Sequence, residues 1–156
     1  MANEPRVPEK DVASRETPPR ELADRLGYLL GRTHLAHRER ADEALQPLGL
    51  RVKEFGALLI LTKDGPLSQC ALAARQGIDR TTMVGLVDEL EGHGFVERRR
   101  SRNDRRAYEL HVTAKGRRVL KRAIEATVRT EKEFLQPLSA KERRQLKQSL
   151  QRLLFI

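Results

Sequence analysis

Residues 67–113, LSQCALAARQGIDRTTMVGLVDELEGHGFVERRRSRNDRRAYELHVT, decide the fold of this chain. Ser68 has the residue type of a helix N-cap, and Leu72 and Ala73 give an inward side to the short helix it opens, 69–76. Gly77 suits a left-handed C-cap that turns the chain sharply, with Ile78 packed beneath the turn. Asp79 caps a second helix, whose stripe is Met83, Leu86, Val87 and Leu90 and whose end is marked by Gly92 and Gly94. Phe95 and Val96 open a strand, and Tyr108, Leu110 and Val112 alternate along its partner. Leu67 adds a very short third strand. Between the two longer strands, residues 98–106 hold six arginines in nine positions. The pattern is helix, tight turn, helix, then a hairpin with a basic loop.

The flanks are helical. After Pro18-Pro19, Leu22, Leu26, Leu29, Leu30, Thr33 and His37 share one helical face that continues to Ala41, Ala44 and Leu45, with Pro47 and Gly49 as the stop. A second helix over 51–62 has Phe55, Leu58, Leu59 and Leu61 as its core side, and Lys63-Asp64-Gly65-Pro66 is a turn. Thr113 caps a long helix over 114–136 with an apolar line of Leu120, Ala123, Ile124, Thr127, Phe134 and Leu135, broken by Pro137. Ser139 and Glu142 form the S-x-x-E capping box of a last helix, whose stripe is Leu146, Leu150, Leu153 and Leu154, continuing to Phe155 and Ile156. The expected fold is mainly α with a small β-wing: a winged helix-turn-helix over 51–113, with 20–50 and 114–156 as dimerisation helices. Together these make a single domain, 20–156. Residues 1–19, with four of the seven prolines, read as a flexible tail.

Composition narrows the function. The net charge is +9, and residues 94–122 alone carry eleven Lys or Arg against three acids. The remainder is nearly neutral, so the charge is one basic patch on a balanced body, the footprint of a polyanion binder. No apolar run reaches the ~18–20 residues of a membrane span, and the first twenty residues lack the apolar centre of a signal peptide. These features point to a soluble, cytoplasmic protein. The lone Cys70 excludes an internal disulfide, and the four histidines lack metal-ligand spacing, so neither a metal nor a cofactor is expected. No Ser/His/Asp set, glycine-rich phosphate loop or paired carboxylates suggests an enzyme. Asp88, Glu89 and Glu91 read as solvated helix charges.

A helix-turn-helix presents the N-terminal part of its second helix to base edges in a major groove. Arg80, Thr81, Thr82 and Gly85 lie opposite the apolar stripe and fit that role. Arg80 can pair with guanine or phosphate, and threonine can offer a hydroxyl or a methyl. Gly85 permits close approach of the helix either to DNA or to the protein's own interior. Ser68 and Gln69 sit at a helix N-terminus, which suits phosphate. Arg98, Arg100, Arg102, Arg105 and Arg106 suit phosphates and a narrow minor groove, and Asp104 pins a neighbouring guanidinium to shape the turn. Double-stranded DNA is the expected partner. An architectural DNA binder without sequence preference, or a winged helix that binds protein or RNA, stays open as the alternative.

The same residues carry a resemblance. Leu72-Ala73, Gly77-Ile78-Asp79-Arg80-Thr81-Thr82, Leu86-Val87-Asp88-Glu89-Leu90-Glu91, Gly94-Phe95-Val96, Asp104-Arg105-Arg106-Ala107 and Leu110-His111-Val112-Thr113-Ala114-Lys115-Gly116 resemble the MarR family of winged helix-turn-helix regulators. Leu48-Gly49-Leu50, Phe55 and Leu58 fit as well. The resemblance implies a transcriptional regulator, most often a ligand-responsive repressor. It implies a homodimer on a pseudo-palindromic operator, with the fourth helix in the major groove and Arg106 in the minor groove. It also implies a small aromatic or phenolic effector, for which Arg32, His34, His37 and Arg40 are polar candidates, though such residues are more often surface or dimer contacts. Cys70 does not stand where the peroxide-sensing branch keeps its thiol. His93 and His111 read as wing surface. Three departures stand out. Gln76 occupies a position that is usually leucine, Arg51-Val52 replace a threonine cap and proline, and Ala71 replaces a glutamate.

Overall fold

The computed structural model describes residues 18–101 and 107–154, so residues 1–17 of the expected 1–19 tail and the terminal Phe155-Ile156 lie outside the described residues. The chain divides into two units after His34. In the first, a single helical turn, α1 (Arg20–Ala23), precedes the start of α2 (Leu26–Leu45). The long apolar stripe predicted one unbroken helix. Instead the chain tightens at Asp24 and Arg25, whose amides donate to the carbonyls of Arg20 and Leu22 at 3.0 Å. Leu22, Leu26, Leu29 and Leu30 are all exposed.

The second unit holds the core. α3 (Val52–Asp64), α4 (Gln69–Gln76), α5 (Arg80–Gly92), the antiparallel pair β1 (Val96–Arg100) and β2 (Tyr108–Val112), α6 (Ala114–Phe134) and α7 (Ala140–Leu154) follow in order. Leu45, Leu58, Leu72, Met83, Val87, Leu90, Val96 and Leu110 are fully buried and pack into one cluster. The strands pair from Val96 with Val112 to Arg100 with Tyr108. Leu67 forms the expected very short third strand, a bridge to Leu110 with a 2.8 Å bond from the Leu110 amide. One expectation of the strand pattern fails. Tyr108 shares its face with Leu110 and Val112 but is 52% exposed, because the hairpin has run past the edge of the core by that point.

The helix ends follow the sequence signals. Ser68 Oγ accepts from the Ala71 amide at 3.2 Å, Asp79 Oδ1 from Thr82 at 2.9 Å, and Thr113 Oγ1 from Gly116 at 3.0 Å. Ser139 and Glu142 make both bonds of their capping box, at 2.7 and 3.3 Å. Hydrogen bonds from the Ser139 hydroxyl and amide also hold the Glu142 carboxyl below its usual pKa. Gly77 and Gly94 both have left-handed backbone, φ 65° and 68°, where a side chain would be strained. Each lets the next residue's amide reach back over the turn: Ile78 to the Ala73 carbonyl, Phe95 to that of Leu90. α5 ends at Gly92, with His93 as its C-cap and the left-handed Gly94 just beyond. α6 stops at Phe134, slightly earlier than expected, and exposes Ile124.

The departures at the start of α3 are repaired from elsewhere in the chain. With no threonine cap, Asp42 of α2 accepts from the Val52 amide at 2.7 Å, and the buried Glu54 accepts from the Arg51 amide at 3.0 Å. Gln76 is a less complete repair. Its Nε2 donates to the Lys53 carbonyl at 2.6 Å, against the bare backbone of Gly56, while its Oε1 is buried with no partner. A buried unsatisfied acceptor costs ~1–3 kcal/mol. Gln76→Leu is therefore expected to raise stability by about 1 kcal/mol in urea unfolding. A lower unfolding midpoint would count against this account of the site.

Candidate nucleic-acid interface

α5 has two unlike sides. Met83, Leu86, Val87 and Leu90 are buried, while Arg80, Thr81, Val84, Gly85 and Asp88 form an exposed row on the other side. Its N-terminus is fixed by Asp79, which takes both the Thr82 amide and, at 2.6 Å, the Thr82 hydroxyl. These bonds, the side-chain one first, hold the Asp79 carboxyl below its usual pKa. The sign follows: the cap is complete above the ordinary carboxylate range and is lost only as pH falls through the lowered value.

Thr82 was expected to offer its hydroxyl to DNA. A hydroxyl has one proton, and here it is already donated to Asp79. Thr81 is exposed, and Val84, 46% exposed, adds an apolar side chain to the same row that the sequence reading does not single out. Val84 follows the core residue Met83, and its residue type carries no signal of exposure. Gly85 lies on the open side of the helix. A Cβ added there would meet no atom within 4 Å, so the glycine serves no packing inside the protein.

Ser68 and Gln69 lie half-buried at the start of α4, with Ser68 acting as the cap and Cys70 exposed beside them. On the hairpin the arginines separate into different roles. Arg99 pairs with Glu97 at 2.5 Å on the same strand, and Arg100, exposed, lies over the Tyr108 ring at 6.0 Å. Ser101 is buried and donates to Glu109 at 2.7 Å, and its amide bonds the Ala107 carbonyl at 2.9 Å. Arg98 departs from expectation. Its guanidinium turns away from the basic cluster to Glu91 and, at 2.5 Å, to Asp88. Desolvation would lower its pKa, but the bonds and charges of these two carboxylates raise it. Asp88 and Glu91 are therefore not merely solvated helix charges. Arg102, Asp104, Arg105 and Arg106 lie outside the described residues.

The histidines also separate. His93 does not sit on the wing but at the end of α5, stacked on Phe95 with centroids 5.3 Å apart. Lys115 lies over the same Phe95 ring at 5.4 Å and donates to the His93 carbonyl at 2.7 Å. His111 is on β2, 3.7 Å from Glu109. Of the four effector candidates, Arg32 and His34 are exposed on α2, while His37 and Arg40 pack against the Phe134 ring, each at 5.2 Å. Among the described residues no cluster of three metal-ligating side chains occurs, and no helix is long and apolar enough to cross a membrane.

Gly85→Ala separates folding from binding. It is expected to stabilise α5 by up to about 1 kcal/mol while weakening DNA binding, because the added methyl projects from the exposed side of α5. A thermal melt and a DNA titration of the same sample check both halves. Unchanged binding would remove Gly85 from the interface.

The arrangement agrees with known proteins. The sequence model of the MarR family matches residues 50–108. A putative transcriptional regulatory protein for the hcr operon of Thauera aromatica is 35% identical over 85% of this chain and 80% of its own. The transcriptional repressor CouR, solved on a 23-mer DNA duplex, superposes with TM-score 0.80 at 34% identity, over 85% of this chain and 94% of its own. CouR from Rhodococcus jostii RHA1 has also been solved with p-coumaroyl-CoA, with TM-score 0.73, 31% identity, and 85% and 93% coverage. The MarR family protein Rv2887 of Mycobacterium tuberculosis, solved with salicylic acid, has TM-score 0.69 and 35% identity over 85% of this chain and 99% of its own. With its helix-turn-helix and β-wing, this chain belongs to the MarR family of DNA-binding transcriptional regulators.

Proposed function

We propose that the chain represses transcription as a homodimer on a two-fold-symmetric duplex site and releases that site when it binds a small aromatic acid or its thioester. The observation that carries the DNA reading is the exposed row Arg80, Thr81, Val84 and Gly85 on a helix whose opposite face is entirely in the core. The row supplies a cation, a hydroxyl, an apolar contact and a place of close approach, the set a major groove can read. Ser68 and Gln69 at the start of α4 and Arg100 on the hairpin serve phosphates, and the loop residues Arg102, Arg105 and Arg106 serve the minor groove, with Asp104 ordering them. Arg98 leaves this set, since its guanidinium is engaged within the protein.

The dimer reading rests on α7. None of its residues is buried, and Leu146, Leu153 and Leu154 are exposed. Val128 of α6 and Leu135 just past its end line an apolar groove against Leu146, Leu150 and Leu154. A second copy would cover these side chains. The effector reading rests on a groove of about 220 Å³ beside the recognition helix, with Arg38, Arg51 and Glu54 on one side and Thr82, Gly85 and Leu86 on the other. Arg51, Lys53 and Arg38, the last also 3.5 Å from Asp42, offer cations to a carboxylate against the acids Glu54 and Glu89, and Leu86 offers an apolar contact. An occupant there would abut the face of Gly85 and compete with the DNA.

Selection from a random-sequence duplex pool tests the function directly. The protein is expected to enrich one palindrome-like duplex and to prefer it over scrambled DNA by a factor of ~10³ or more, with a steep salt slope. Salicylate is expected to weaken that complex. Steep salt dependence without enrichment would point to an architectural protein, and neither property would point to a protein-binding module. Deleting residues 139–156 should convert dimers to monomers in light scattering and reduce operator affinity sharply. A truncated protein that stays dimeric would place the interface elsewhere.

A further inference from the structure

The geometry points to a positioning clamp: Arg98 does not read DNA but locks the β-wing to the recognition helix, so that the two grip a duplex at one fixed angle. This inference rests on the DNA-binding reading above and adds a residue role to it.

Arg98 sits in the middle of β1, opposite Leu110 of β2. Glu91 and Asp88 sit three residues apart on one side of α5, a spacing that places both on a single helical face. Three bonds join the two elements. The Arg98 amide donates to Glu91 Oε1 at 3.1 Å, one guanidinium nitrogen donates to Glu91 Oε2, and the other donates to Asp88 Oδ1 at 2.5 Å. Glu91 thus holds both the backbone and the side chain of the strand. The Arg98 side chain is 28% exposed, whereas Asp88 and Glu91 are 58% and 39% exposed, so only the guanidinium end of the cluster is shielded from solvent and salt. Neither the Arg99–Glu97 pair, within β1, nor the Arg75–Asp64 pair, between α4 and α3, joins these elements.

The clamp accounts for two carboxylates where DNA binding alone would not place them. An acid on a groove-reading helix repels phosphate. Neutralised by Arg98, Asp88 and Glu91 cost little and set the hairpin's direction. Backbone geometry joins α5 to β1 only through the turn at Gly94. Core packing of Leu90 against Val96 and Leu110 sets the coarse angle at that turn, and the clamp adds a polar tie on the outer side of the same joint.

The two possible roles of Arg98 predict opposite signs for Glu91→Gln. That substitution removes a negative charge from the DNA-facing helix. If Arg98 served phosphate, freeing it would tighten binding; if it is a clamp, binding weakens. The experiment uses the full chain, the duplex enriched by the wild-type protein and a scrambled duplex. Glu91→Gln and Arg98→Ala are each expected to weaken the enriched duplex by roughly tenfold, with the double variant no weaker than the worse single one. The salt slope and scrambled-duplex affinity of Glu91→Gln stay at the wild-type values, and hydroxyl-radical protection is lost in the flanking minor groove first. Tighter or unchanged binding by Glu91→Gln overturns the clamp. So does an Arg98→Ala salt slope lower by about one, the mark of a lost phosphate contact. A pair that only stabilises the fold would lower the melting temperature and weaken both duplexes equally, and that result also overturns the clamp. If the wild-type protein enriches no duplex, the DNA reading itself fails, before any variant is compared.

Discussion

The burial of one stripe governs the molecule. Met83, Leu86, Val87 and Leu90 anchor α5 in the core and thereby decide which residues of that helix face outward. Burying four such side chains is worth several kcal/mol, about 1.5–3 each, against a cap or an exposed ion pair worth ~1 or less. The apolar stripe therefore fixes the helix's rotation about its axis. The caps and the turn at Gly94 fix where it starts and stops. Only after those terms are set does the polar surface acquire a meaning.

Much of this was legible in the residues. Ser68, Gly77, Asp79, Thr113 and Ser139 signal helix ends through local chemistry, a side-chain oxygen or a missing Cβ, and each acts as expected. The apolar spacing of α5 and the pairing of the strands were equally readable. What escaped the sequence depends on partners that are distant along the chain or on where the core ends. Arg98 looks like its neighbours in a basic run, and nothing local marks its pairing with residues 7 and 10 positions away. Tyr108 fits the alternation but lies beyond the core's edge. The break at Asp24-Arg25 carries no glycine or proline signal, and its residue types give no physical account of it.

The site residues show the same division. The exposed side of α5 could be inferred because burial on a helix is periodic. Whether an exposed group is available is a different matter, set by hydrogen bonds. Thr82 is at the surface, yet its proton belongs to Asp79. Asp42 and Glu54, by contrast, read as unremarkable charges and turn out to complete the start of α3. A count of charges gives the field around the molecule, but the contacts decide which charges are left to act.

Thr113 and Gly116 tie the start of α6 to the end of α5. The Thr113 hydroxyl donates to the Gly94 carbonyl at 2.7 Å, and a Cβ on Gly116 would overlap the Phe95 carbonyl oxygen and come within 2.9 Å of Val112. Backbone meets backbone there, with no side chain between to yield. Packed protein is stiff at such a seam. A twist of the long α6 rod cannot be absorbed at this joint; it carries straight through to the root of the hairpin, like torque through a keyed shaft.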